Sequence, residues 1–152
     1  MNIAFAESDQ DIEDCLPVMA ELHSQFKEKD GAKNFLMRIQ RQMKDGYKLA
    51  ILREKGDVVA CVGYRFIDML AFDRFCYIDD LVTKENQRST GYGQHLFNFV
   101  KKEAERAGCS YVRLDSGVHR KQAHKFYFKQ RMTIDDFHFA LPLKKNISSL
   151  SC

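Results

Sequence analysis

Between residues 47 and 115 the hydrophobic period changes twice, and that change removes most architectures from consideration. Residues 47–53, 58–67 and 75–83 are rich in β-branched and aromatic side chains and are joined by short polar turns, one at Lys55-Gly56-Asp57 and one over 68–74. They read as an antiparallel meander. After Thr83 the apolar residues Leu96, Phe97, Val100, Ala104 and Ala107 recur on one helical face, Gly108 stops the helix, and 111–115 returns to strand character. A strand–helix–strand crossover brings the second strand back parallel to the first. The strands at 75–83 and 111–115 are therefore expected as parallel neighbours in a sheet that is otherwise antiparallel. The composition, 45% hydrophobic and 30% charged, is that of a globular chain and speaks against disordered, collagen-like and coiled-coil readings.

The flanks complete the pattern. Residues 2–6 read as a first strand, and Ser8 followed by Asp11 has capping-box character. Ile12, Cys15, Leu16, Met19, Leu22, His23 and Phe26 then fall at helical spacing, with Pro17 expected to kink the helix or to open a fresh turn. A polar loop over 27–33 leads to a second helix marked by Phe35, Leu36, Ile39 and Met43 and closed by Gly46. Beyond the crossover, 119–130 reads as a helix with Ala123, Phe126 and Tyr127 on one face, and 133–143 as one or two final strands. The fold class is α/β (α+β), a mixed and mostly antiparallel sheet of about six to seven strands with helices on both faces. A chain of 152 residues fits one domain, 1–143, with a polar serine-rich tail over 144–152.

The formal charge of +3 is too small for a general nucleic-acid binder. No apolar run approaches the ~20 residues needed to cross a bilayer, and the first ten residues lack a signal-peptide pattern. Five cysteines, at 15, 61, 76, 109 and 152, show no C-x-x-C spacing and read as free thiols of a cytoplasmic protein. The histidines form no H-E-x-x-H, so no metal is expected.

The chemistry concentrates between Leu81 and Gln94. A strand ending Leu81-Val82-Thr83 runs into Arg88-Ser89-Thr90-Gly91-Tyr92-Gly93-Gln94, and the amphipathic helix follows at once. Glycines admit a close ligand, the first helical amides lack internal partners, and the helix dipole places partial positive charge there. Together with Arg88 they make a cradle suited to a pyrophosphate. No Lys-Ser/Thr follows Gly93, so this is not a Walker loop, and Leu96 stands where a dinucleotide fingerprint needs its third glycine.

Arg88-x-x-Gly91-x-Gly93 after a Leu-Val-Thr strand resembles the acyl-CoA-binding motif of the GNAT N-acetyltransferase superfamily. Ala123-His124-Lys125-Phe126-Tyr127 resembles that family's later A-x-x-F/L-Y helix, and the order of elements matches over about residues 2–143. The resemblance implies a splayed parallel strand pair at the CoA site, with the backbone of Leu81, Val82 and Thr83 pairing with the pantetheine arm. It implies that the pyrophosphate lies on the amides from Arg88 to Gln94, with Arg120 and Lys121 facing the CoA phosphates, and that Tyr127 protonates the departing thiolate. The family often has asparagine where this chain has Arg120, and often glutamate where it has Tyr77.

Acetylation of an amine needs the neutral amine, yet alkylamines have a pKa of ~10, so a base must take a proton. Asp79 and Asp80, on the strand feeding the CoA site, are the candidates, and strand alternation is expected to send them to opposite faces. With Asp68, Asp73, Asp135 and Asp136 they are expected to favour a cationic acceptor. The resulting expectation is an N-acetyltransferase that uses acetyl-CoA as co-substrate and transfers to a small-molecule or protein amine by direct attack in a ternary complex. Two alternatives stand beside it: a non-catalytic CoA-binding sensor of the same fold, and a nucleic-acid-binding module using the basic helix 119–131. Phe137, Phe139 and Leu141 would allow a homodimer through the final strand.

Overall fold

A computed structural model describes residues 2–143; the tail expected over 144–152, with Cys152, lies outside the described residues. The chain divides into two compact units, 1–114 and 115–152.

The first unit carries the sheet. Strands β1 (Asn2–Phe5), β2 (Lys48–Glu54), β3 (Asp57–Met69), β4 (Asp73–Thr83) and β5 (Tyr111–Leu114) lie side by side in sequence order. Pairing is antiparallel from β1 to β4 and parallel between β4 and β5, as the crossover requires. Lys55 and Gly56 at the β2–β3 turn both have positive φ, 51° and 94°, which matches the turn twist to the twist of the flanking strands.

Helices cover both faces. Helix α1 (Asp9–Leu22) opens on a reciprocal capping box: the Asp11 N–H donates to Ser8 Oγ, and the Ser8 N–H donates to Asp11 Oδ2, each at 3.1 Å. Such a cap contributes about 1 kcal/mol. Pro17 opens no new turn; it lies inside one continuous helix, where the buried neighbours Cys15, Val18 and Met19 anchor the segment by packing. Helix α2 (Gly31–Lys44) starts earlier than its apolar residues suggest, because Gly31 lets its backbone press on the preceding loop: a Cβ there would sit 2.2 Å from the Phe26 carbonyl oxygen. Both helices share a core with Leu49, Ile51, Val58, Cys61 and Val82. Helix α3 (Tyr92–Arg106) buries Leu96, Phe97, Val100 and Ala104 and packs on β3 and β4. The alternate sheet residues Ala50, Leu52, Ala60 and Val62 are buried on that side. Cys15, Cys61 and Cys76 are buried free thiols and Cys109 is half-buried and free.

The second unit holds helix α4 (Lys121–Lys129). His124 Nε2 lies 2.9 Å from the Gly117 carbonyl, and the Met132 N–H returns to the Tyr127 carbonyl at 3.1 Å. Residues 133–143 form no strand, so among the described residues the sheet has five strands rather than six or seven. Their alternating Phe137, Phe139, Leu141 and Leu143 satisfy the period of a strand, but a strand exists only as part of a ladder, and among the described residues no ladder includes them.

Candidate active site

The site starts from a fault in the β3–β4 ladder. Tyr64 pairs with Ile78 and Gly63 pairs with Asp80, so Asp79 is an extra residue, a β-bulge. The bulge cancels the alternation expected from sequence. Asp79 and Asp80 do not point to opposite faces; both line one cavity on the α1/α2 side of the sheet. Ile78 stays on the α3 side with its pair partner Tyr64, and Val82 enters the α1/α2 core opposite Cys61.

The bulge also marks where β4 loses a neighbour. The parallel ladder to β5 ends at Ile78 and Leu114. Leu81, Val82 and Thr83 continue to pair with Val62, Cys61 and Ala60 on one side. Among the described residues no strand pairs with their other edge. The backbone there is a row of groups that an extended ligand can meet as an added strand.

The cavity has a volume of about 170 Å³ and lies between α1, α2 and β4, walled by Met19, Phe26, Phe35 and Ile39. His23 Nε2 lies 2.5 Å from Asp80 Oδ1, and the Tyr47 hydroxyl donates to Asp80 Oδ2 at 2.7 Å. A carboxylate accepts only, so the His23 nitrogen facing it carries the hydrogen, and in the neutral ring the lone pair is on Nδ1. Burial and the Asp80 carboxylate hold the Tyr47 phenol well above its ordinary pKa, which keeps it a donor. Asp79 takes two bonds from Arg65, Nε to Oδ2 and Nη2 to Oδ1, both 2.9 Å, and Arg65 also donates to Gln42 Oε1 at 3.2 Å. Burial raises the Asp79 carboxyl above its usual range, with Arg65 opposing. His23, Tyr47, Arg65 and Gln42 carry no local motif; they meet the aspartates only through folding.

At the other end of β4 lies the loop that the sequence expects to cradle an anion. A single 3-10 turn, Glu85–Gln87, leads to Arg88, and Ser89 and Gly91 follow with φ of 66° and 94°. Gly91 caps α3 and brings no side-chain acceptor; the first intrahelical bond runs from the His95 N–H to the Gly91 carbonyl. The amides of Tyr92 and Gly93 therefore precede that ladder. Thr90 Oγ1 donates to the Gln87 carbonyl at 2.6 Å and fixes the loop. Gln94 donates through its side chain to Asn98. Tyr92 offers the site its backbone alone, because its ring is buried and its hydroxyl donates to Glu54. The Arg88 guanidinium is not free of anions: Glu21 lies at 3.4 Å and Glu85 at 3.8 Å, and Glu21 also accepts the Glu85 N–H at 2.7 Å.

In the second unit, Arg120 stands just before α4 and its N–H donates to the Gly117 carbonyl, while Lys121 is the exposed first residue of the helix. Tyr127 lies on α4 in edge contact with Phe126. Burial raises its phenol, with Arg120 opposing. Among the described residues no three His, Cys, Asp or Glu side chains gather as a metal site, and no helix is long and apolar enough to cross a membrane.

The profile of the Acetyltransferase (GNAT) family matches residues 15–132. The chain belongs to the GNAT acetyltransferase family. This GNAT enzyme is 33% identical, over 84% of its length and 88% of the relative's, to the uncharacterized N-acetyltransferase YhdJ of Bacillus subtilis (strain 168). Solved structures share its fold at lower identity. A ribosomal-protein-alanine N-acetyltransferase from Brucella melitensis biovar Abortus 2308 superposes with a TM-score of 0.76 at 17% identity, covering 94% of this GNAT chain and 100% of the other. Glucosamine-6-phosphate N-acetyltransferase from Arabidopsis thaliana gives 0.70 at 20% identity, covering 94% and 98%. These two likenesses speak for the fold of the GNAT chain alone. The family implies acetyl-CoA as acyl donor, and the uncapped α3 start, the glycine at positive φ and the open β4 edge fit such a ligand.

Proposed function

We propose that this GNAT acetyltransferase transfers the acetyl group of acetyl-CoA to a primary amine that enters the cavity between α1, α2 and β4, with His23 as the base. The observation that carries the reading is the 2.5 Å contact between His23 and Asp80 inside that cavity. Both Asp80 oxygens are already engaged, by His23 and by Tyr47, and Asp79 is engaged twice by Arg65. The aspartates named from sequence therefore serve best as positioning groups. Asp80 fixes the ring and tautomer of His23, so that Nδ1 takes the proton of the incoming ammonium. Asp79 holds Arg65 against Gln42 and so braces the cavity wall.

Acetyl-CoA supplies the activated thioester. The Leu81–Thr83 backbone edge offers pantetheine hydrogen bonds, and Arg88, Ser89, Thr90, Gly91, Tyr92, Gly93 and Gln94 form the pyrophosphate cradle. Arg120 and Lys121 are assigned to the CoA phosphates and Tyr127 to protonation of the leaving thiolate, on the family resemblance of the α4 motif. The amine nitrogen forms its bond to the acetyl carbon as the carbon–sulfur bond breaks, without a covalent enzyme intermediate.

A thiol-release assay with acetyl-CoA and an amine panel tests this reading, run on wild type, His23→Gln and Asp80→Asn across pH. The expected result is turnover whose rise with pH disappears in His23→Gln and whose rate falls in Asp80→Asn, with CoA affinity kept in both. No release with any amine, or an unchanged pH profile in His23→Gln, overturns it.

A further inference from the structure

Both carboxylates of the cavity are already engaged by protein groups. Asp79 is neutralised by Arg65, and Asp80 is shared between His23 and Tyr47. The cation without a carboxylate partner among the lining residues is Arg38: on α2, it lies 5.4 Å from the Phe26 ring centroid, with no carboxylate at ion-pair distance among the described residues. A guanidinium held over an aromatic face, at the rim of a cavity and without an anion, is arranged to receive one from a ligand. The apolar walls of the same cavity are Met19, Phe26, Phe35 and Ile39. The volume of about 170 Å³ is below the ~300–1,000 Å³ of pockets for drug-sized ligands.

We propose that the acceptor is a small amine that also bears an anionic group, a carboxylate or a phosphate, and a short apolar body: the amine meets His23, the anion meets Arg38, and the body packs on Phe26 and Phe35. This rests on the reading of the cavity as the acceptor site. It revises the expectation of an acceptor selected by free aspartates, because the fold pairs both aspartates internally.

The test uses matched acceptors that differ in the anion alone: leucine, its amide, 3-methylbutylamine, and an aminoalkyl phosphate of similar length. Thiol release is measured with the full-length wild type, Arg38→Gln and Arg38→Glu; residue 38 is exposed, so these variants are expected to fold. In parallel, calorimetry of the CoA-loaded protein with N-acetyl-leucine and its amide reads anion recognition without turnover. The expected result is at least a tenfold higher kcat/KM for an anionic acceptor than for its neutral partner, a ratio near one in Arg38→Gln, and a reversed preference in Arg38→Glu. Comparing leucine with the phosphate tells which anion is favoured. A preference for the amide or plain amine, or a ratio unchanged in Arg38→Gln, overturns the inference and leaves the acetyltransferase reading standing. Arg38-dependent binding of the acid with no turnover of any amine supports the inference and removes the reading of His23. Neither turnover nor Arg38-dependent binding removes both.

Discussion

Gly63 exists to make room for Tyr47. A Cβ at position 63 would sit 1.8 Å from the Tyr47 hydroxyl oxygen and 2.3 Å from its ring carbon Cζ. Gly63 is also the ladder partner of Asp80. The tyrosine therefore crosses the sheet over a bare backbone and delivers its hydroxyl to the carboxylate opposite.

Gly63→Ala is expected to destabilise the protein by about 1–3 kcal/mol, as overpacked cores do, and to lower kcat through loss of the Tyr47–Asp80 bond. Denaturant melts of Gly63→Ala, Tyr47→Ala and the double variant check the cause. If the two residues collide as described, the double variant is less destabilised than the two single effects combined. Strict additivity would mean that the glycine serves some other purpose.

Removing the partner of Asp79 should produce a pH-dependent loss. In the folded protein burial raises this carboxyl above its ordinary value of 3.8 even with Arg65 present. The folded state therefore binds the proton more tightly than the unfolded state, and the group's contribution to stability declines as pH rises from about 3.8 through the raised value. Arg65→Leu takes away the opposing cation, moves the folded carboxyl higher still, and extends that decline toward neutral pH. The expected cost near pH 7 is about 2–3 kcal/mol, below the upper range for fully buried pairs because both side chains keep some solvent contact. Urea melts at several pH values measure it, and a penalty that does not grow with pH would contradict the assignment.

The proposed CoA cradle is expected to be restrained by an acidic neighbour. Glu21 shares the Arg88 guanidinium and also accepts the Glu85 N–H. Glu21→Gln keeps an oxygen for that amide and removes the charge. CoA affinity should rise severalfold at low salt in Glu21→Gln and fall in Arg88→Ala, and both changes should shrink as salt screens them. Equilibrium binding of CoA at two ionic strengths reads both effects. A weaker Kd in Glu21→Gln would mean that loop order outweighs charge.

Local chemistry made much of the fold legible. The Ser8–Asp11 cap, the meander, the crossover helix and the parallel return of β5 all rest on interactions within a few residues or on a strong topological rule. The loop at Gly91 was readable for the same reason, since a positive φ before a helix leaves a signature in residue type. The cavity was not. His23 and Asp80 are 57 residues apart, Tyr47 and Asp80 are 33 apart, and no spacing rule joins them. The bulge escaped as well, because it is a property of two strands in register; read alone, β4 predicts strict alternation and so separates two aspartates that the fold places together. The residues 133–143 mislead in the opposite sense, with a strand's pattern and no ladder among the described residues.

The extra residue in β4 is also local in its reach. Were Asp79 deleted, the backbone hydrogen bonds on both sides could still be made, so the strand itself would survive. Asp80 would still face Gly63, and Leu81, Val82 and Thr83 would keep Val62, Cys61 and Ala60 as partners, because the strand on both sides of the bulge is already in register with β3. Val82 would stay in the core it shares with Cys61, and the chain would reach Arg88 with its side chains on the same faces. A one-residue deletion here is thus expected to cost the Asp79–Arg65 pair and the local bend, while sparing the side-chain address of the strand end that leads to the proposed CoA loop.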